Sequence, residues 1–205
     1  PQPNQVLEET LDSEELEFIR QDFPKVIQSI NNGTERINSL ILSLKVFSRL
    51  QESHLKRANL NEGLDSSLVL VGHRLRSQNG RPDIEVSRKY ANLPEVECFS
   101  SQMNQVFMNI VKNAIDAIDE RWRKSPGNWQ PQLLLKSALD ADTILIQIVN
   151  NGEPISPVVK DKIFDPFFTT KPIGKGVGLG LSVSYEIVHK KHHGDLTFVS
   201  PWQEN

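Results

Sequence analysis

Two segments in the C-terminal half of the chain restrict its fold more than any others. Asn104 to Ile118, NQVFMNIVKNAIDAI, reads as an amphipathic helix. Val106, Phe107, Ile110, Ala114 and Ile118 supply its apolar face, and Asn109 and Asn113 share another face at a spacing of one turn. Ile163 to Val188, IFDPFFTTKPIGKGVGLGLSVSYEIV, is a phenylalanine- and glycine-rich loop that runs straight into a helix. Strand-like segments lie between the two. A one-sided helix needs a surface to cover, and this order predicts helices on one face of a mixed sheet, an α/β sandwich.

The rest of the chain fills in that frame. Asp12 to Arg20 reads as a short helix with Asp12 as N-cap. Pro24 is expected to open a longer helix that runs to about Leu50. Its apolar residues, Ile27, Ile30, Thr34, Ile37, Ile41 and Leu44, recur in steps of three and four, a heptad seam that calls for a partner helix. Either the same domain or a second copy of the chain could provide it, and the regularity favours a dimeric bundle. Leu60 to Leu75 reads as a helix with Asn61 as cap. Ile84 to Ser87 and Val96 to Phe99 read as strands, and Met103 to Arg121 as the strong amphipathic helix. Leu133 to Leu139 and Thr143 to Val149 read as adjacent strands joined at Asp140–Asp142. Glu153 to Gly176 is a long proline-bearing loop, a length that in a compact domain usually serves function. Val177 to Lys191 is expected as the last helix and Asp195 to Val199 as a final strand.

Composition excludes several classes. A net charge of −3 with scattered basic residues provides no field for nucleic acid. No apolar run approaches the ~20 residues of a membrane span, and PQPNQVLEE has no signal-peptide character. Cys98 is the single cysteine, so no internal disulfide forms and a reducing, cytoplasmic setting is expected. It lies in VECF and reads as a small buried hydrophobe. The first residue is not Met, and the chain reads as a fragment of a longer protein.

Three places carry chemistry. Asparagine is a mediocre helix former, so two of them one turn apart suggest a purpose beyond folding. An amide oxygen together with phosphate oxygens and water suits Mg²⁺; solvated asparagines are the plainer alternative. The run Gly174-Lys175-Gly176-Val177-Gly178-Leu179-Gly180 can turn backbone N–H groups toward one concavity, at the start of a helix whose dipole favours phosphate. A flexible hinge is the alternative there. Lys171 and Lys175 could reach terminal phosphates. In IVNNGEPI the expected strand delivers Asn150 and then turns at Gly152, where a polar side chain could read a base edge.

These motifs, in this order, closely resemble the ATP-binding domain of sensor histidine kinases, within the wider gyrase and MutL-type ATPase superfamily. NIVKNAIDA resembles that family's asparagine box, VNNGEPI its first glycine box, IFDPFF its phenylalanine box and GKGVGLGL its second glycine box. Pro24 to Leu50, ending LSLKVFSRL, resembles the second helix of the dimerisation and phosphotransfer hairpin. The resemblance implies residues 1–57 as part of that helical region. It implies residues 58–205 as a two-layer α/β sandwich of the Bergerat type, α+β in class, that binds ATP and Mg²⁺. It places Asn113 on Mg²⁺, Asn109 near the phosphates with Lys171 in a catalytic role, and Asn150 on the adenine amino group. Asp116, Gly152, Ile155, Phe164, Phe168, Lys175, Gly176, Val177, Gly178, Leu179 and Gly180 complete the implied nucleotide site, with Phe164, Phe167 and Phe168 anchoring a lid. The implied partners are a second copy of the chain through the helical bundle and the receiver domain of a response regulator.

The chain departs from the family pattern in three ways. The first glycine box usually reads Asp-x-Gly-x-Gly, but here it holds Asn150, Gly152 and Pro154. A neutral hydrogen bond contributes ~0.5–1.5 kcal/mol against ~1.5–3 for a charged one, so ATP binding is expected about tenfold weaker. None of His54, His73, His189, His192 and His193 has the context of a phosphoacceptor, so the acceptor is expected before Pro1. The chain also stops at PWQEN, where the family usually adds a strand. Hydrolytic members carry a water-activating Glu where Asn109 stands. An amide cannot act as that base, so the site reads as one that holds ATP for transfer. A degenerate, non-catalytic nucleotide-binding or dimerisation module is the second reading, motivated by Asn150 and Pro154.

Overall fold

A computed structural model describes residues 17–30, 33–34, 54–172 and 176–201. The chain forms two compact units, one of Pro1–Ser48 with Thr169–Val177, the other of Arg49–Phe168 with Gly178–Asn205.

In the first unit, residues 17–30 form one helix, α1, with helical backbone again at 33–34. Pro24 therefore lies inside a helix and does not open one, correcting the expectation of two helices. A proline removes one N–H from the ladder and disturbs it locally, so a helix can pass through it with a bend. Ile27 and Ile30 are 43% and 58% exposed. The Asp12 cap and the seam positions Ile37, Ile41 and Leu44 lie outside the described residues.

The second unit contains β1 (Lys56–Ala58), α2 (Leu60–Leu70), α3 (Gly72–Leu75), β2 (Glu85–Lys89), β3 (Val96–Cys98), α4 (Ser100–Lys124), β4 (Gln132–Asp140), β5 (Thr143–Asn150) and α5 (Gly180–Glu186). A 3-10 segment, Pro157–Lys162, follows β5, and α5 continues into a π-helical turn, Ile187–Lys191. β1 and β3 pair antiparallel. β2 pairs parallel with β4, and β4 antiparallel with β5, giving the order β2-β4-β5. The hairpin closes tightly from Asp140 to Thr143, with Ala141 at φ 50°.

Alternation along β4 turns Leu133, Leu135 and Ser137 inward. Onto them pack Leu64 and Leu68 of α2 and Val106, Phe107, Val111, Ala114, Ile115 and Ile118 of α4, all buried. The α2–α4 contact is close because Gly63 faces α4; a Cβ there would lie 2.5 Å from Asn104 Oδ1. Cys98 is buried within this core, and burial pushes its thiol pKa up, as a packing role requires. The architecture is a two-layer α/β sandwich with a preceding helix.

Several boundaries differ from expectation. The cap of α2 is Asn59, whose side chain accepts from Asn61 N at 3.0 Å. Asn61 instead donates to Ala91 O at 3.0 Å, so the tertiary partner takes the residue proposed as cap. The expected helix Leu60–Leu75 breaks at Val71 into α2 and α3. The last helix starts at Gly180 and not at Val177. The expected strand Asp195–Val199 has no strand structure. Its segment is committed to side-chain contacts: Phe198 meets the Phe164 ring at 5.9 Å, and Ser200 Oγ accepts from Ile155 N at 2.8 Å. Among the described residues, no helix is long and apolar enough to cross a membrane.

Candidate nucleotide-binding site

Asn109, Asn113 and Asp116 follow one another on α4 in steps of four and three, on a stripe away from the buried Phe107, Val111, Ile115 and Ile118. All three are partly buried. Asn109 donates from Nδ2 to Gly180 O at 3.0 Å and to Ser184 Oγ at 3.2 Å. Those bonds tie α4 to the start of α5. Ser184 Oγ in turn donates to Gly180 O at 2.8 Å, so the junction is a closed set of hydrogen bonds. Asn113 and Asn150 make no side-chain hydrogen bond among the described residues. A partly buried amide without a protein partner is costly unless solvent or a ligand completes it. Oxygen from Asn113 is also the donor type that Mg²⁺ takes. The amide oxygen of Asn113 therefore fits Mg²⁺ as a donor, and Asn113 is the residue that would hold the ion.

The end of β5 is held by two residues that the sequence reading did not single out. Asn151 accepts from Gln132 N at 2.9 Å and donates to Gln130 O at 2.7 Å. Arg121, at the far end of α4, lies 4.3 Å over the Trp129 ring and donates to Asn151 O. Asn150 is thus presented on a turn whose next residue is clamped. Gly152 then lies against α4 itself: a Cβ there would stand 2.4 Å from Ala117 C and Ile118 N. Glu153 N donates to Ala117 O at 2.8 Å. Only glycine fits this approach, and the doubled asparagine before it was the signal available in sequence.

Phe164, expected to anchor a lid, meets the Tyr185 ring of α5 at 5.1 Å. Phe168 is partly buried. Phe167, expected as a third anchor, is 70% exposed and has φ 66°. Its backbone meets the glycine loop: a Cβ on Gly178, at φ 71°, would lie 2.4 Å from Phe167 C and 2.5 Å from Phe168 O. Two neighbouring left-handed residues form this crossing, and a glycine at 178 is what lets it close. Leu179 precedes the first turn of α5, its carbonyl accepting from Val183 N at 3.0 Å and Ser182 Oγ at 3.1 Å. Ile155 is fixed through Ser200.

Asp116 has a protein partner. Arg74 Nη2 donates to Asp116 Oδ1 at 2.7 Å and to Asp119 Oδ2 at 3.0 Å. The second unit thus brings together Asn109, Asn113, Asp116, Asn150, Gly152, Gly178, Leu179 and Gly180. Lys171, Gly176 and Val177 belong to the first unit. There Lys171 N donates to Thr169 Oγ1 at 3.2 Å, and Gly176 lies beside both side chains. Lys175 lies outside the described residues.

The family model described as histidine kinase-, DNA gyrase B-, and HSP90-like ATPase matches residues 99–204, and the chain belongs to that family. It is 32% identical over 173 residues to the sensor kinase CckA of Brucella abortus (strain 2308), covering 81% of this chain and 18% of that protein. It is 33% identical over 166 residues to the signal transduction histidine-protein kinase AtoS of Escherichia coli (strain K12), covering 81% of this chain and 25% of that one. The chain thus spans a quarter or less of these two relatives. Among solved structures it is similar to a nucleotide-free catalytic domain of the histidine kinase ThkA. That match has a TM-score of 0.55 and 31% identity, and covers 67% of this chain and 82% of that one. A structure of ThkA in complex with the response regulator protein TrrA matches with a TM-score of 0.59 and 25% identity, over 92% of this chain and 48% of that one.

Proposed function

We propose that residues 58–205 bind Mg-ATP and, within a longer sensor kinase, deliver its γ-phosphate to a histidine for relay to a response-regulator aspartate. Residues 1–57 would form part of the dimerisation and phosphotransfer region. The observation that carries this reading is the pair of partly buried amides, Asn113 and Asn150, without protein partners, beside an Asn109 locked to the start of α5. In this reading Asn113 would hold Mg²⁺, and the ion would supply charge neutralisation at the phosphates. Asn109 orients the phosphate end against α5, Asn150 takes the adenine amino group, and Gly152 admits the base against α4. Asn109 cannot take a proton from water, so the site favours transfer over hydrolysis. Phosphoryl transfer would rest on positioning and charge neutralisation. The ThkA complex with the response regulator protein TrrA supports a response regulator as the downstream partner.

Calorimetric titration with ATP, with and without Mg²⁺, tests the reading. Binding in the micromolar to sub-millimolar range is expected, and Asn113→Ala should weaken it about tenfold, the scale of one lost ligand interaction. A folded wild-type chain that binds no ATP would overturn it.

The second reading, a degenerate nucleotide-binding or dimerisation module, is favoured by Asn150 and Pro154, which depart from the usual acidic residue and glycine. Asn150→Asp separates the two. A rise of about tenfold in affinity, with phosphotransfer to a supplied acceptor domain only in the variant, would favour the module.

A further inference from the structure

We infer that Arg74 is a charge-compensating, positioning residue of the nucleotide site, one that sets how strongly the site prefers a polyphosphate. This rests on the Mg-ATP reading above. Arg74 lies on α3, outside every motif that singles out the site. Its guanidinium nevertheless reaches the ligand stripe of α4, donating to Asp116 Oδ1 at 2.7 Å. Asp116 comes three residues after Asn113 and directly before Ala117, where Gly152 seats against the helix. It therefore stands between the residue assigned to Mg²⁺ and the turn assigned to the base.

A carboxylate at that position would repel a triphosphate unless a cation offset it. The fold provides that cation and fixes its aim. Asp119 Oδ2 accepts from the same Arg74 nitrogen at 3.0 Å, and Asp119 Oδ1 accepts from Arg81 Nε at 2.7 Å. Arg81, only 2% exposed, donates from Nη2 to the carbonyls of Arg74 at 2.8 Å and Arg76 at 2.9 Å. The backbone of α3 is thereby pinned from behind, with the Arg74 side chain directed at α4. Burial works against the Arg74 charge, but Asp116 and Asp119 outweigh it and its pKa is raised. Asp116 thus acts at the site as half of an ion pair.

The prediction is graded by phosphate number. Dissociation constants for ATP, ADP and AMP are measured on the full chain at fixed Mg²⁺ by calorimetry. Arg74→Met should weaken ATP about tenfold, ADP less and AMP least, as one unit charge near the phosphates requires. Arg74→Lys should keep most of the ATP-to-AMP ratio. Asp116→Asn alone should move that ratio the other way, which keeps the test decisive if Arg74→Met does not fold. Equal losses for all three nucleotides, or an unmoved ratio in Asp116→Asn, would overturn the inference while leaving the Mg-ATP reading intact. A folded wild-type chain without ATP binding would overturn both.

Discussion

Tyr90 shows how a single side chain in this fold acquires a property its type does not predict. Burial, together with the nearby Asp65 carboxylate 3.3 Å from its hydroxyl, pushes its pKa up to about 12. An unfolded tyrosine titrates near 10. The folded state therefore holds this proton more tightly, and the stability it contributes is complete below about pH 10 and lost as pH rises through about 12. Urea midpoints measured between pH 9 and 12 should fall for the wild type, and Tyr90→Phe should remove that part of the fall. An identical pH profile in the two proteins would mean that Tyr90 makes no such contribution. At the same scale, Asn113 and Asn150 are legible in the sequence, because paired asparagines on a helix and asparagine before a glycine turn are unusual where packing alone decides. Arg121 and Asn151 were not, because nothing in their local sequence states that they meet.

Elements α3 and α4 are joined by an ion-pair network that no periodicity announces. Arg81 is buried, takes Asp119 at 2.7 Å and holds three backbone carbonyls, those of Pro82, Arg74 and Arg76. Replacing it leaves those three carbonyls without their donor and takes one of two arginines from the half-exposed Asp119. A buried polar group left without its partner costs about 1–3 kcal/mol, so Arg81→Met should shift the urea midpoint substantially. The exposed pair Arg76–Asp83, at 3.5 Å, should matter little by comparison. Near-equal midpoints for Arg81→Met and Arg76→Ala would contradict the ranking. Element identity was well read for α4, β4 and β5, whose apolar periods are long and regular. The final strand was misread because an apolar alternation over five residues looks the same whether a neighbouring strand or the Phe164 ring takes it up.

At the scale of the whole molecule, α1 carries several exposed apolar side chains. Phe18, Phe23 and Ile30 are 69%, 63% and 58% exposed on it. Exposed apolar side chains on one helix are usual where a partner helix covers them. We expect the chain to dimerise through this segment and Ile30→Asp, which introduces a charge at the seam, to shift it toward monomer. Light scattering reads the outcome directly; the same mass for wild type and variant would refute it.

The sequence alone determined the fold class, the order of the motifs and the family likeness. Those depend on local patterns: helical and strand periods, glycines where the backbone must turn or approach, and amides spaced by one helical turn. Only the tertiary structure decided that Asn109 is held by Gly180 and Ser184, that Gly152 rests on the backbone at Ala117, and that Arg74 faces Asp116 across 42 positions of chain. Such contacts join residues far apart along the chain, and their partners are set by how α3, α4 and α5 pack. Side-chain type shows that a donor needs an acceptor, and packing determines which one it finds.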